Sequence, residues 1–216
     1  MRTLYVFPTS PFSRRTRLAL AQKSLDVELK DARADATFRA EAKKLWPLRT
    51  IPVFVDEGGH AVGDSTAIAH YLDARYPASP RTWPTDPTAL RAALEIAALV
   101  DGALNTIIDV GTRYYALSSD AAWPKVQDEL LGRAQGALDR LSERAVARGA
   151  KTLTDAGWCA ADMWLFTMVA WVEGFPERAP TNPNIAQILT LAWSLPAPLA
   201  AWAAPFHERA DVKALG

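Results

Sequence analysis

The sequence predicts an α/β N-terminal domain of order βαβ then ββα, followed by an all-α C-terminal domain. Three observations carry this. Strand-like apolar runs (residues 4–7, 27–30, 51–55 and 60–63) all fall early in the chain. Residues 78–87 hold Pro80, Pro84 and Pro87 and few apolar side chains besides Trp83, the composition of a linker. Beyond that segment the apolar residues recur only at helical spacings. The expected division is 1–77, a linker at 78–87, and a helical domain at 88–216.

Each element has its own signal. Residues 2–7 are mostly apolar, as in a strand covered on both faces. Ser10 followed by Pro11 is a helix start: Ser caps, and Pro is pre-set for the first helical position. That helix is expected over 12–23. Residues 27–30 alternate apolar and charged, which suits a short strand. Residues 31–46 carry Phe38, Ala42 and Leu45 at helical spacing and read as an irregular segment or a short helix ended by Pro47. Residues 51–55 form a third strand with Pro52 at its start, where a missing N–H is tolerated. The run Asp56-Glu57-Gly58-Gly59 is a hairpin turn, and 60–63 returns antiparallel. Asp64-Ser65 then caps a helix with Ile68, Tyr71, Leu72 and Tyr76 on one face, and Pro77 stops it.

In the second part, residues 88–117 read as one long helix bent at Gly102 and Gly111. Residues 122–148 form another. Residues 160–173 are apolar nearly all round, the pattern of a buried central helix. Two shorter helices are expected at 184–194 and 197–211.

Composition excludes several classes. The 216 residues include 24 Lys plus Arg and 24 Asp plus Glu, with no block of one sign. Nothing suggests a nucleic-acid partner or a polybasic membrane surface. No apolar run approaches the roughly 20 residues of a membrane span, and the first residues lack a signal peptide's apolar core. Cys159 is the single cysteine, so no intrachain disulfide forms and a cytoplasmic setting is expected. One cysteine and three scattered histidines do not supply the usual ligand set of a zinc site, and no metal is expected.

The chemistry concentrates at Ser10. A hydroxyl there faces unpaired backbone N–H groups and the positive end of a helix dipole. That environment favours an anion, either a thiolate or a phosphate. Taken alone, Ser10 and Asp64-Ser65 read first as plain helix caps, and only their combination with the rest of the chain reverses that reading. The neighbouring Arg14-Arg15-Arg17 group reads as a solvated face.

In their order these residues resemble the cytosolic glutathione S-transferases over essentially the whole chain. Ser10-Pro11-Phe12-Ser13-Arg14 resembles the active-site segment of the serine-type, bacterial-like classes. Ile51-Pro52 stands where that family has a cis-proline. Asp64-Ser65 is similar to its Glu/Asp-Ser at the start of the third helix. The proline-rich linker follows, and Asp162 resembles the Asp of its N-capping motif. The fold so implied is a thioredoxin-like domain followed by a helical one. The function so implied is activation of the glutathione thiolate for attack on a small hydrophobic electrophile. Glutathione is then a co-substrate and the protein a homodimer, with detoxification the usual setting. The alternatives are a non-catalytic binding module or a related glutathione-dependent isomerase, peroxidase or lyase.

The resemblance implies residue roles. Ser10 is the hydrogen-bond donor to sulfur, with Ser13 as its rival. Phe12, Arg49, Thr50, Ile51, Pro52, Asp64 and Ser65 are the glutathione contacts. Asp64 is assigned the γ-glutamyl ammonium; Ser65 and the backbone at that helix start are assigned the carboxylate. The electrophile pocket is expected between Phe12, the loop 33–38 and the first C-terminal helix, with Arg113, Tyr114 and Tyr115 as liners. Asp101 is a candidate for reaching the partner's glutathione. Tyr5 is rejected as the thiol partner because it lies one residue off the tyrosine-type position, on the opposite strand face. Two departures stand out. Thr50 replaces the family's lysine for the glycyl carboxylate, so that either Arg49 substitutes or the glycyl end is held weakly. Cys159 replaces its Ser/Thr cap, and Cys159 itself reads as a buried small residue.

Overall fold

The computed structural model describes residues 1–215. Strands β1 (Thr3–Val6), β2 (Glu28–Asp31), β3 (Val53–Val55) and β4 (Ala61–Gly63) form one sheet in the order β2-β1-β3-β4. β1 pairs parallel with β2, while β1–β3 and β3–β4 are antiparallel. Helices α1 (Pro11–Gln22), α2 (Ala36–Leu45) and α3 (Ser65–Arg75) flank it. The two-residue period of β1 decides which helix each side chain meets. Leu4 and Val6 pack with Ala19 and Leu20 of α1 and Ile68 and Leu72 of α3. Tyr5 faces the other way, among Ala42, Val53 and Trp46 near α2, and its hydroxyl donates to Glu41 Oε2 at 2.8 Å. The sheet is therefore covered on both faces, as its apolar first strand requires.

The remaining helices are α4 (Pro87–Ile108), α5 (Trp123–Arg148), α6 (Ala160–Glu173), α7 (Phe175–Arg178), α8 (Pro183–Ile188), α9 (Ala197–Ala203) and α10 (Ala210–Lys213). Helix α6 has the predicted bounds and is buried over nearly its whole length. Its N-terminus is tied down by Asp162, whose carboxylate accepts from the N–H groups of Leu153 (2.7 Å) and Cys159 (3.1 Å). Burial pushes the Cys159 thiol up to about 11, which leaves it inert as a small core residue.

Three helical expectations are corrected. The helix expected over 88–117 ends at Ile108 and continues as a π-turn over Asp109–Arg113. α4 runs unbroken through Gly102. Gly111 matters for packing instead: a Cβ there would lie 2.4 Å from Ile188 Cγ1, so α8 closes directly onto that turn. The helix expected over 184–194 is only α8, and α7 ahead of it was not foreseen. The helix expected over 197–211 breaks into α9, the 3-10 turn Ala204–Glu208 and α10, because Pro205 removes a donor within it.

The proline-rich segment carries no helix or strand before Pro87, but it is firmly packed. Lys23 Nζ and Asp73 Oδ1, both buried, pair at 2.7 Å. Lys23 also donates to the Pro80 carbonyl at 3.0 Å, and Asp73 accepts from the N–H groups of Thr82 and Trp83 at 2.8 Å each. Trp83 stacks on His70 at 4.6 Å and meets the edge of Trp164 at 5.4 Å. The segment thus fixes α1 and α3 against α6. That joint sets the walls of the cleft between the sheet layer and the helices.

Candidate functional site

Ser10 is the residue before the Pro11 helix start. Its N–H donates to the Phe7 carbonyl at 2.9 Å, which fixes the turn from β1 into α1. Its hydroxyl makes no capping hydrogen bond to α1. The Ser10 side chain is therefore not used up by the helix it precedes. Ser13 has the opposite fate. It is fully buried, and its Oγ accepts from the Phe7 N–H at 3.2 Å. Ser13 braces the turn and lines no cavity.

Ser10 opens into a cavity of about 390 Å³ between the sheet layer and α4. Phe7, Phe12 and Arg15 form its α1 side; Leu48, Arg49, Thr50, Ile51 and Pro52 form a second side. Asp64 and Ser65 close a third, and α4 with its π-turn supplies Asp101, Asn105, Ile108, Asp109 and Arg113. Every residue expected from the sequence to contact glutathione lines this one cavity. The Ile51–Pro52 peptide is cis, as expected, and the ladder of β3 begins beyond it at Val53. Trp46 lies flat beside Gly63, where a Cβ would come within 2.1 Å of its ring, and this holds the start of the Leu48–Thr50 loop.

Two lining residues sit in the left-handed region, Arg49 at φ 56° and Asp64 at φ 67°. Side chains at positive φ are uncommon and cluster at sites that the surrounding fold over-determines. At Asp64 the determinant is visible. Its Oδ1 accepts from the N–H groups of Thr66 (2.8 Å) and Ala67 (3.1 Å). Two of the helix's first donors, the Thr66 and Ala67 N–H groups, are therefore already bonded within the chain. Ser65 remains for the carboxylate expected there.

The expectation of a solvated arginine face fails at Arg15. Its side chain is only 1% exposed. Its Nε–H donates to Ser65 Oγ at 2.8 Å and its Nη1–H to Asp101 Oδ1 at 2.6 Å. Its guanidinium lies 4.8 Å from the Phe12 ring centroid and 4.3 Å from that of Trp164. Burial pulls it below its ordinary range, against the opposing fields of Asp101 and Asp64. Asp101 is thus engaged within its own chain, a role the sequence reading did not give it. The missed signal lay on α1. Arg15 stands four residues after Pro11 and three before Leu18, on the apolar stripe rather than beside it.

The electrophile liners need correction too. Arg113 lines the cavity and pairs with Asp109 at 2.9 Å. Tyr114 and Tyr115 do not; both are exposed beyond the π-turn, and Tyr114 packs edge-on against Trp123 at 6.0 Å. One helical turn cannot aim three successive residues at one side. A second cavity of about 240 Å³ adjoins the first and shares Phe7, Ser10, Phe12 and Ile108 with it. Its far wall is Arg33, Trp171, Arg178 and the start of α8. Phe38 is not part of it. Among the described residues no group of His, Cys, Asp and Glu is placed to hold a metal ion, and no helix is long and apolar enough to cross a membrane.

Comparison with known proteins agrees with this geometry. Residues 4–80 match the family model described as "Glutathione S-transferase, N-terminal domain". Glutathione S-transferase Z1 of Arabidopsis thaliana is 41% identical over 83 residues, which is 36% of this chain and 35% of that protein. The chain thus spans about a third of that relative's length. Maleylacetoacetate isomerase of Pseudomonas aeruginosa is 27% identical over 213 residues, 90% of this chain and 92% of that one. A solved glutathione S-transferase from Methylobacillus flagellatus, with glutathione bound, superposes with a TM-score of 0.72 at 25% identity, covering 100% of this chain and 99% of that one. One from Methylobacterium radiotolerans, in complex with glutathione sulfonate, gives 0.73 at 22% identity, covering 99% and 93%.

Proposed function

We propose that this chain, a member of the glutathione S-transferase family, binds glutathione in the first cavity and activates its thiol with Ser10. The observation that carries the reading is the uncommitted Ser10 hydroxyl at the mouth of α1, facing a cavity that Asp64 and Ser65 also line. Glutathione has charged groups at both ends and a thiol in the middle. In this reading Asp64 pairs with the γ-glutamyl ammonium. The Ser65 oxygen accepts from Arg15, and its hydroxyl proton remains free to donate to the γ-glutamyl carboxylate. Ile51, beside Pro52, meets the peptide backbone of the tripeptide, and Arg49 and Thr50 lie toward its glycyl carboxylate.

The thiol must lose its proton to react, from a starting pKa near the roughly 8.5 of a cysteine. Each unit of depression needs about 1.4 kcal/mol of preferential thiolate stabilisation. One hydrogen bond from Ser10 Oγ to sulfur, with the α1 N-terminus behind it, is of that order. The proton passes to solvent. The sulfur lone pair then forms the S–C bond to the acceptor, and the leaving group departs with the electron pair of the bond that breaks. Ser10 donates throughout and is not a nucleophile. The second cavity beside Ser10 is the place for the acceptor. A reversible addition of the thiolate, as in a glutathione-dependent isomerase, uses the same geometry. The near full-length match to the Pseudomonas isomerase favours that as the second reading. The two differ in whether glutathione is consumed. A cytoplasmic location belongs to the same proposal.

The test is Ser10→Ala. The pKa of bound glutathione, followed by the ultraviolet absorbance of the thiolate, should rise toward that of the free thiol. The turnover rate near neutral pH should fall about ten- to a thousandfold, the range for one preorganised donor. Glutathione affinity, by calorimetry, should change little. An unaltered pH–rate profile would end the serine-donor mechanism. A two-fold dimer also belongs to this reading, and the exposed Leu94 on α4 offers it apolar surface. A monomer in sedimentation at micromolar concentration would refute it.

A further inference from the structure

The second cavity is cationic. Its lining includes two guanidinium side chains, Arg33 and Arg178, and no carboxylate. Arg178 is set firmly in place. Its Nε–H donates to the Gly174 carbonyl at 2.8 Å, and its Nη2 reaches the Trp171 carbonyl. Gly174 makes the room for this, since a Cβ there would come within 3.1 Å of the guanidinium nitrogens. Arg33 reaches in from the loop after β2 and lies over the Phe7 ring, 5.1 Å from its centroid. A third guanidinium, Arg14, stands close by with its Nε buried and without a hydrogen-bond partner. Burial lowers the Arg178 pKa, and the fields of Arg14 and Arg33 lower it further, each outweighing the opposing field of Glu177.

Cations brought together in a half-closed cavity repel one another unless an anion enters. Phe12, Ile108, Ile185 and Ile188 add apolar lining to the same space, with Thr112, Asn182 and Asn184 as neutral polar neighbours. Ser10 lies where the two cavities meet. The space thus combines apolar lining, the Ser10 hydroxyl and two guanidinium groups.

We infer that the acceptor substrate is an anion: an apolar body of about aryl size bearing a carboxylate that lies between Arg33 and Arg178. This rests on reading the first cavity as the glutathione site. It departs from the purely hydrophobic electrophile that the sequence led us to expect. A planar guanidinium is suited to a carboxylate, and the bond between them is charge-assisted.

The test compares two stable product mimics, S-benzylglutathione and S-(para-carboxybenzyl)glutathione, by calorimetry. It uses the wild type, Arg33→Met and Arg178→Met. The carboxylated conjugate should bind the wild type about tenfold more tightly, or better, from one charge-assisted contact in a half-buried site. The ratio of the two affinities should fall toward one in both variants, and it should shrink in the wild type as salt is added. Arg33 is exposed and, among the described residues, its guanidinium makes no hydrogen bond or ion pair, so Arg33→Met carries the test if Arg178→Met fails to fold. Equal affinities in the wild type, or a ratio unmoved by Arg33→Met, would overturn the inference while leaving the glutathione reading intact. If neither conjugate binds, the glutathione reading itself fails, and the inference falls with it.

Discussion

Asp101→Ala should be among the most destabilising single changes on the cleft wall. The Arg15 side chain is 1% exposed and that of Asp101 27%. The substitution therefore strands a guanidinium in the interior rather than freeing a surface ion. Removing one partner of a fully buried pair costs about 3–5 kcal/mol. Here the space left by Asp101 opens to the cavity, so water can follow. Ser65 Oγ and the Phe12 and Trp164 rings also still face the charge. We therefore expect about 2–3 kcal/mol. At about 2–4 °C per kcal/mol for a chain of this size, Tm should fall by roughly 4–12 °C. Thermal unfolding followed by circular dichroism at neutral pH reads this directly. Arg15→Met with Asp101→Leu removes both charges together, and should cost less than the sum of the single changes by about 1 kcal/mol or more. If Asp101→Ala unfolds within about 0.5 kcal/mol of the wild type, or the two sites add without coupling, water already serves the guanidinium and the pair does not hold the cleft together.

Two further outcomes follow from buried partners. Ser13→Ala removes the acceptor for the Phe7 N–H, so it should cost about 1–3 kcal/mol of stability while leaving the pKa of bound glutathione at its wild-type value; a shift of that pKa equal to the one in Ser10→Ala would move the donor role to Ser13. Asp56 is buried, and burial alone would raise its pKa, but hydrogen bonds from the Tyr71 and Tyr76 hydroxyls and the Glu57 N–H, with Arg2 nearby, outweigh it and hold the carboxyl below its ordinary 3.8. A depressed folded value means that the stabilisation is complete above the ordinary carboxylate range and is lost as pH falls toward the folded value. Tm measured from neutral pH down to about 3 should therefore drop less steeply in Asp56→Asn than in the wild type, and parallel curves would show that Asp56 does not govern acid unfolding.

Much of the molecule is written in short-range signals. The turn from β1 into α1 needs only Ser10-Pro11. The β3–β4 hairpin follows from Gly58-Gly59, and the start of α3 from Asp64-Ser65. The central helix α6 follows from an apolar run closed by Gly174. These signals work because backbone propensity, capping and periodicity act over a few residues. The wall holding Ser10, Ile51, Pro52, Asp64 and Ser65 was legible for the same reason, since each occupies the start or edge of an element. Other features were decided by contacts distant in sequence. Arg15 and Asp101 are 86 positions apart, and nothing local to either says that a buried guanidinium will meet a carboxylate. Arg178 enters the second cavity through a four-residue helix too short to leave a periodic trace, folded over a glycine whose role is the absence of a Cβ. Tyr114 and Tyr115 leave the cavity because α4 ends in a π-turn, onto which Ile188 closes at Gly111. Sequence alone determined the sheet, the starts of α1 and α3, the central helix α6 and the candidate residues for a thiol site. Packing between the sheet layer and the helices decided which charges face the cleft, because side chains far apart in sequence acquire their partners only when the layers close.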